Sequence, residues 1–136
     1  MTHSIRSHTE CIRNIAMLGH AGAGKTTLIE ALLAKAGEIR AAGSVERGST
    51  VCDYTDQEKR LHHSLEVAIC HFQHDGRYVN ILDTPGYPDF MGRALAVLPA
   101  VETAAVVINA EHGPELVAQR MMAFAAERRL ARLVIV

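Results

Sequence analysis

An excess of charge of either sign is missing from this chain: 14 Lys and Arg are offset by 15 Asp and Glu among 136 residues. Bulk electrostatics therefore give no direct signal of a nucleic-acid or membrane partner. An apolar run of the roughly 18–20 residues needed to cross a bilayer is also missing, and the first ten residues are too polar for a secretory signal. A soluble, cytoplasmic protein is expected. Cysteine is scarce, and Cys11, Cys52 and Cys70 show neither a short paired spacing nor a His arranged for zinc, so reduced thiols are expected. Repeats and low-complexity segments do not occur. The chain is the size of one domain, and its 49% hydrophobic content suffices for a core. Residues 1–11 lack any sustained period and are expected to form a flexible N-terminal arm, with the domain proper over 12–136.

Most informative is the stretch Gly19-His20-Ala21-Gly22-Ala23-Gly24-Lys25-Thr26-Thr27. Two glycines bracketing four residues let successive backbone N–H groups turn inward on a phosphate chain. A Lys at the position of Lys25 then reaches the β and γ oxygens, and the Thr26 hydroxyl is a ligand for Mg²⁺. Residues 14–18 read as a short buried strand before this loop, and residues 25–36 as a helix whose positive N-terminus faces the phosphates. Leu28, Ile29, Leu32, Leu33 and Ala36 supply its apolar face, and Gly37 is placed to cap it.

Residues 38–62 carry Gly43, Gly48 and many charged or small residues without clean periodicity, which predicts an extended loop beside the phosphate site and a candidate switch region. From His63 the pattern alternates, with Leu65, Val67 and Ile69 on one side, as in a half-buried strand. Asp75-Gly76 is a favoured hairpin turn, and residues 78–82 return as a second strand ending on Asp83. A helix is expected over 89–98 and an apolar strand over 104–109. A further helix should start with Pro114 in its first turn and run to about Arg129, with Leu116, Val117, Met121, Phe124 and Ala125 facing inward. The last four residues, 133–136, read as a buried strand that needs a following element, so a fragment of a longer domain is expected. Together these elements predict an α/β fold of the P-loop nucleotide-hydrolase type. Its sheet is mostly parallel, with one antiparallel hairpin strand, helices on both faces, and truncation before the last strand or strands.

Asp83-Thr84-Pro85-Gly86 falls at the carboxyl end of a predicted central strand, where ligands bind in open α/β sheets. A strand-end Asp there holds Mg²⁺ through water, and the Gly86 N–H is available to a γ-phosphate. With the Gly19-to-Thr26 loop, Asp83-Thr84-Pro85-Gly86-Tyr87-Pro88-Asp89-Phe90 resembles the GTP-binding domain of translational GTPases. Gly48-Ser49-Thr50-Val51-Cys52-Asp53-Tyr54 is similar to the elongation factor G-like branch. The resemblance implies GTP or GDP and Mg²⁺ as cofactors, a guanine nucleotide as ligand, and the ribosome as partner of the full-length protein. It also implies a nucleotide set of Gly19, His20, Ala21, Gly22, Ala23, Gly24, Lys25, Thr26, Thr27, Asp83 and Gly86. Thr26, Ser64 and Asp83 would be the metal set, and Lys25, Gly86 and Tyr87 the catalytic positions.

Several departures from the family pattern matter. Only the hydroxyl of the family's Arg-Gly-Ile-Thr segment survives, as Ser64, preceded by Leu61-His62-His63. Adjacent residues on an extended segment point to opposite sides, so His62 and His63 are expected to be solvated or packed rather than metal ligands or bases. Tyr87 stands where most of the family has the His that orients the attacking water, and Gly22 replaces a frequent Asp. No Asn-Lys-x-Asp occurs to read guanine, so the isolated fragment is expected to be weak or inactive. Two readings follow: a GTP-hydrolysing switch, or a nucleotide-responsive regulatory module with little hydrolysis. A P-loop ATPase or small-molecule kinase leaves Asp83-Thr84-Pro85-Gly86 unexplained.

Overall fold

The computed structural model describes residues 9–136, so most of the expected arm lies outside the described residues; its last three, Thr9–Cys11, form a single 3-10 turn. Five strands build one sheet: β1 (Ile12–Leu18), β2 (Ala68–His74), β3 (Arg77–Asp83), β4 (Thr103–Val107) and β5 (Ala131–Ile135), in the order β2-β3-β1-β4-β5. All neighbouring pairs are parallel except β2 with β3, which the turn at Asp75 and Gly76 joins as a hairpin.

Because side chains alternate along a strand, the central strands feed two cores. Ala16, Leu18, Leu82, Ala104 and Val106 pack on one face with α3 (Met91–Val97) and α4 (Leu116–Glu127), through Ala94, Val117, Ala118, Met121 and Ala125. Met17, Ile81, Ala105 and Val107 pack on the other face against Ile29 and Leu33 of α1 (Lys25–Ala36). The helix expected over 25–36 forms with those ends, and Gly37 closes it in the left-handed conformation.

Other expectations need correction. Pro114 precedes its helix rather than entering it, because Glu115 is the residue that caps α4; Leu116, on the face away from Val117, Ala118, Met121 and Ala125, is 61% exposed, and the inward stripe begins at Val117. Strand β2 begins at Ala68, later than the alternation from His63 suggested, and its buried positions are Ala68 and Cys70 while Ile69 is exposed. Leu65 and Val67 belong to the preceding loop, so a phase read from them is inverted. Strand β5 leaves Leu133 and Val134 about half exposed, where burial was expected. β4 ends at Val107, and Asn109 instead bridges to Gly113 beyond it.

The expected loop over 38–62 contains a helix, α2 (Asp56–Leu61). Its N-terminus is a reciprocal capping box: the Glu58 amide donates to the Thr55 hydroxyl, while the Glu58 carboxylate accepts from the Thr55 amide and hydroxyl at 3.0 and 2.7 Å. That carboxylate also accepts from the Leu65 and Glu66 amides at 3.0 and 3.1 Å, tying both ends of the segment to one buried residue. Burial alone pushes the Glu58 carboxyl up, but these hydrogen bonds outweigh it and hold the group below the usual range. A depressed carboxyl contributes stability that is present above its ordinary titration range and lost as pH falls through its lowered value. Glu58→Gln, with one accepting oxygen, is therefore expected to lose about 1–2 kcal/mol near neutral pH. The deficit should shrink in acid, as urea unfolding at pH 7 and pH 3.5 would reveal.

Candidate functional site

The loop between β1 and α1 crosses the carboxyl end of the sheet, where β1, β3 and β4 run parallel. Its geometry depends on a close approach: a Cβ on Gly19, whose φ is +138°, would sit 2.3 Å from the carbonyl oxygen of Val107. Only glycine fits there. Farther along, the Ala23 amide donates to the His20 carbonyl at 3.2 Å, and the Ala21 amide donates to the Gly86 carbonyl at 3.0 Å, joining this loop to the segment after β3. Gly86 is packed so tightly that a Cβ would lie 2.5 Å from both the Ala21 amide nitrogen and Lys25 Nζ.

Lys25 is buried, with its ammonium donating to the carbonyls of Gly19 and His20 at 3.0 and 2.8 Å. Burial lowers its pKa, and the nearby Asp83 charge opposes that. At the end of β3, Asp83 is also buried, which pushes its carboxyl up to about 6; the Thr26 hydroxyl and Lys25 pull it down, and Asp53 pushes it up again. Thr26 Oγ1 donates to Asp83 Oδ2 at 2.7 Å, whereas Asp83 Oδ1 is buried with no partner. Thr84 is turned away to bond the Met17 carbonyl at 2.6 Å, fixing the direction in which the chain leaves the sheet.

Ser64 lies 3.5 Å from Thr26, hydroxyl to hydroxyl, so all three residues of the expected metal set converge. Ser64 donates to Asp53 Oδ1 at 2.7 Å, and Thr50 donates to the other oxygen at 2.8 Å. Sequence reasoning missed Asp53 because nothing in a loop without period marks a buried acid. It also missed Glu30, whose buried carboxylate on α1 accepts from the Gly43 and Val51 amides at 2.7 and 2.5 Å and holds the switch-like loop against the helix. The Thr55-x-x-Glu58 spacing was the one available signal for order in that loop.

These elements enclose a cleft of about 280 Å³. Ala21, Gly22, Gly24, Lys25, Thr26 and Thr27 line it together with Ser64, Gly86 and Tyr87. Gly19, Ala23 and Asp83 are not among its lining residues, and His20 is turned aside, its Nε2 3.1 Å from a Glu115 carboxylate oxygen. His62 and His63 both line the cleft, contrary to the expected alternation, since His62 sits at φ 54° and ψ 35° at the end of α2 rather than in extended backbone. Their Nδ1 atoms lie 3.1 and 2.8 Å from the carbonyls of Val45 and Leu61. The His63 ring also rests against Tyr87, with centroids 4.5 Å apart.

A buried lysine beside a glycine-bounded loop, and an Asp-x-x-Gly hydrogen-bonded to that loop and to Thr26, form a phosphate site in arrangement. The model of the family described as elongation factor Tu GTP binding domain matches residues 10–136. The chain belongs to that family. This translational GTPase domain is 46% identical over 102 residues to an elongation factor G-like protein of Mycobacterium tuberculosis, covering 75% of the chain and 14% of that relative. It is 40% identical over 131 residues to a mitochondrial ribosome-releasing factor 2 of Drosophila willistoni, covering 96% of the chain and 18% of the relative. A solved structure from Thermus thermophilus superposes with a TM-score of 0.87 at 40% identity, covering 91% of this chain and 19% of that one. The chain thus spans less than a fifth of the length of these relatives. Among the described residues of the domain, no helix is long and apolar enough to cross a membrane.

Proposed function

We propose that the full-length protein carrying this domain binds GTP and GDP, hydrolyses GTP, and acts as a switch of the elongation factor G type on the ribosome. The observation that carries this reading is that Lys25, Thr26 and Ser64 line one cleft and Thr26 is hydrogen-bonded to the buried Asp83 carboxylate. The D. willistoni relative's description as a ribosome-releasing factor supports the partner. Inward-facing amides and the Lys25 ammonium would stabilise charge on the phosphates, and water would attack the γ-phosphate in line with the leaving oxygen.

The oxygen donors fit a hard cation. Thr26 and Ser64 offer hydroxyls, Asp83 retains an unpartnered buried oxygen, and among the described residues no group of three or more His, Cys, Asp or Glu forms an all-protein cage. That combination suits Mg²⁺, which keeps water and phosphate ligands and takes few from protein. When bound, Mg²⁺ would neutralise charge on the phosphate oxygens; Thr26 and Ser64 would hold it directly and Asp83 through water. Multiple-turnover assays with and without ribosomes, using GTP against ATP, test the proposal. Ribosome-stimulated turnover restricted to GTP is expected, and equal use of ATP would sink the reading.

Tyr87 favours a second reading, a nucleotide-responsive module with little hydrolysis. Its ring is 40% exposed at the cleft mouth and leans on His63. A phenol hydroxyl is a weaker proton acceptor than an imidazole and takes a proton from water poorly. If Tyr87 limits the rate, Tyr87→His in the full-length protein should raise kcat by about tenfold or more, within the usual worth of a positioned base. An unchanged kcat with active wild-type protein would place the water-orienting role on another group.

A further inference from the structure

Two buried cysteines lie side by side, Cys52 also neighbouring the Asp83 carboxylate. Cys52 belongs to the switch-like loop and Cys70 is the third residue of β2; they are 18 positions apart, and their sulfur atoms are 3.3 Å from each other. Both are almost wholly buried, at 1% and 6% exposure. Each has a fixed surrounding. Cys70 sits opposite Ile81 in the β2–β3 ladder. Cys52 stands between Val51, whose amide is held by Glu30, and Asp53, which holds Thr50 and Ser64.

We propose that Cys52 and Cys70 are a modification site, at which a hydroperoxide converts the two thiols to a reversible disulfide that clamps the switch-like loop to the sheet. Closing the sulfurs from 3.3 Å to the ~2.05 Å of a disulfide needs only a small shift. The loop side can supply it, because Cys52 lies outside the ladder that fixes Cys70. In the first step the Cys70 sulfur attacks a peroxide oxygen: an S–O bond forms, the O–O bond breaks and water leaves. In the second, the Cys52 sulfur attacks that sulfenic sulfur: the S–S bond forms, the S–O bond breaks and a second water leaves. The two thiols lose two electrons and two protons, and the peroxide takes both. Either thiol can donate to the other across this contact, so the same two steps with the cysteines exchanged give the same disulfide. Two equivalents of a small thiol reverse the reaction, so in a reducing compartment the link is transient.

This inference does not depend on nucleotide turnover, and its test does not either. The reduced full-length protein is treated with hydrogen peroxide, its free thiols are alkylated, and it is digested with trypsin for mass spectrometry. The expected product joins the peptides spanning 48–59 and 61–77 and disappears with dithiothreitol. In a second arm, brief native proteolysis after the exposed Arg47, Lys59 and Arg60 should slow by about tenfold on oxidation. That protection should vanish in Cys70→Ala, or in Cys52→Ala should the strand variant not fold. Separate sulfinic or sulfonic acids at the two positions, or links to other cysteines, would overturn the site. Full linkage with unchanged cleavage would overturn the clamp.

Discussion

Lys25→Ala in the full-length protein is expected to lower kcat for GTP by about 10²–10³-fold, the usual cost of deleting one preorganised electrostatic contact to a transferring phosphoryl group. The wild-type ammonium is buried and held by two loop carbonyls at 3.0 and 2.8 Å, so it is already placed when a nucleotide arrives. Alanine leaves those carbonyls to water and leaves Asp83 without its nearest cation. Affinity for GDP should fall less than kcat, because the loop amides remain. The effect on folding should be small or even favourable, since burying an ammonium is costly and its removal offsets the lost hydrogen bonds. Steady-state kinetics, GDP titration and a thermal melt separate these effects. Turnover equal to wild type in a folded variant would sink the hydrolytic reading, whatever the ribosome does.

Gly19→Ala should act on the fold itself. The new Cβ would lie 2.3 Å from the Val107 carbonyl oxygen, and neither backbone can yield without moving β4 or the phosphate loop. At φ +138° an L side chain is strained even without the clash. Together these predict a loss of about 3–5 kcal/mol, at the severe end of single substitutions. Urea unfolding would show a lowered midpoint, and nucleotide affinity would fall with it. Ala21→Gly in the same loop should lose well under half as much, because Ala21 uses its amide rather than its methyl group to bond Gly86. Equal losses at the two positions would mean that the loop's length of glycine-like backbone, rather than the Val107 contact, sets the cost.

The parts legible in the sequence are those whose signals are local. Helix α1 declared both ends through the loop before it and Gly37 after it, and the β2–β3 hairpin declared its turn through Asp75-Gly76. The phosphate loop and the Asp83 segment were readable because their chemistry needs fixed residue types at fixed spacing, and the family match covers both. The hidden parts depend on partners distant in sequence. Ile69 ranks above Ala68 and Cys70 in hydrophobicity, yet it is the exposed one, because β2 is an edge strand whose buried face packs on α1 and the loop. Asp53 and Glu30 look like solvated charges until the Ser64 hydroxyl reaches one and the Gly43 and Val51 amides reach the other, from 11 to 21 residues away. Leu116 is apolar, but at about 100° per residue it falls on the far side of α4 from the stripe of Val117, Ala118, Met121 and Ala125.

Glu30 also bears on how the segment from Gly43 to Val51 can change over time. The carboxylate grips only main-chain N–H groups at its two ends. Apart from Gly43, where a Cβ would lie 2.3 Å from the Ser49 carbonyl oxygen, Gly48 at φ +60°, and proline at either end, exchanges of side chain along the stretch leave the grip untouched. Insertions and deletions are different, because they shift which amides meet the carboxylate. Lineages that diverge here should therefore differ by substitution far more than by length.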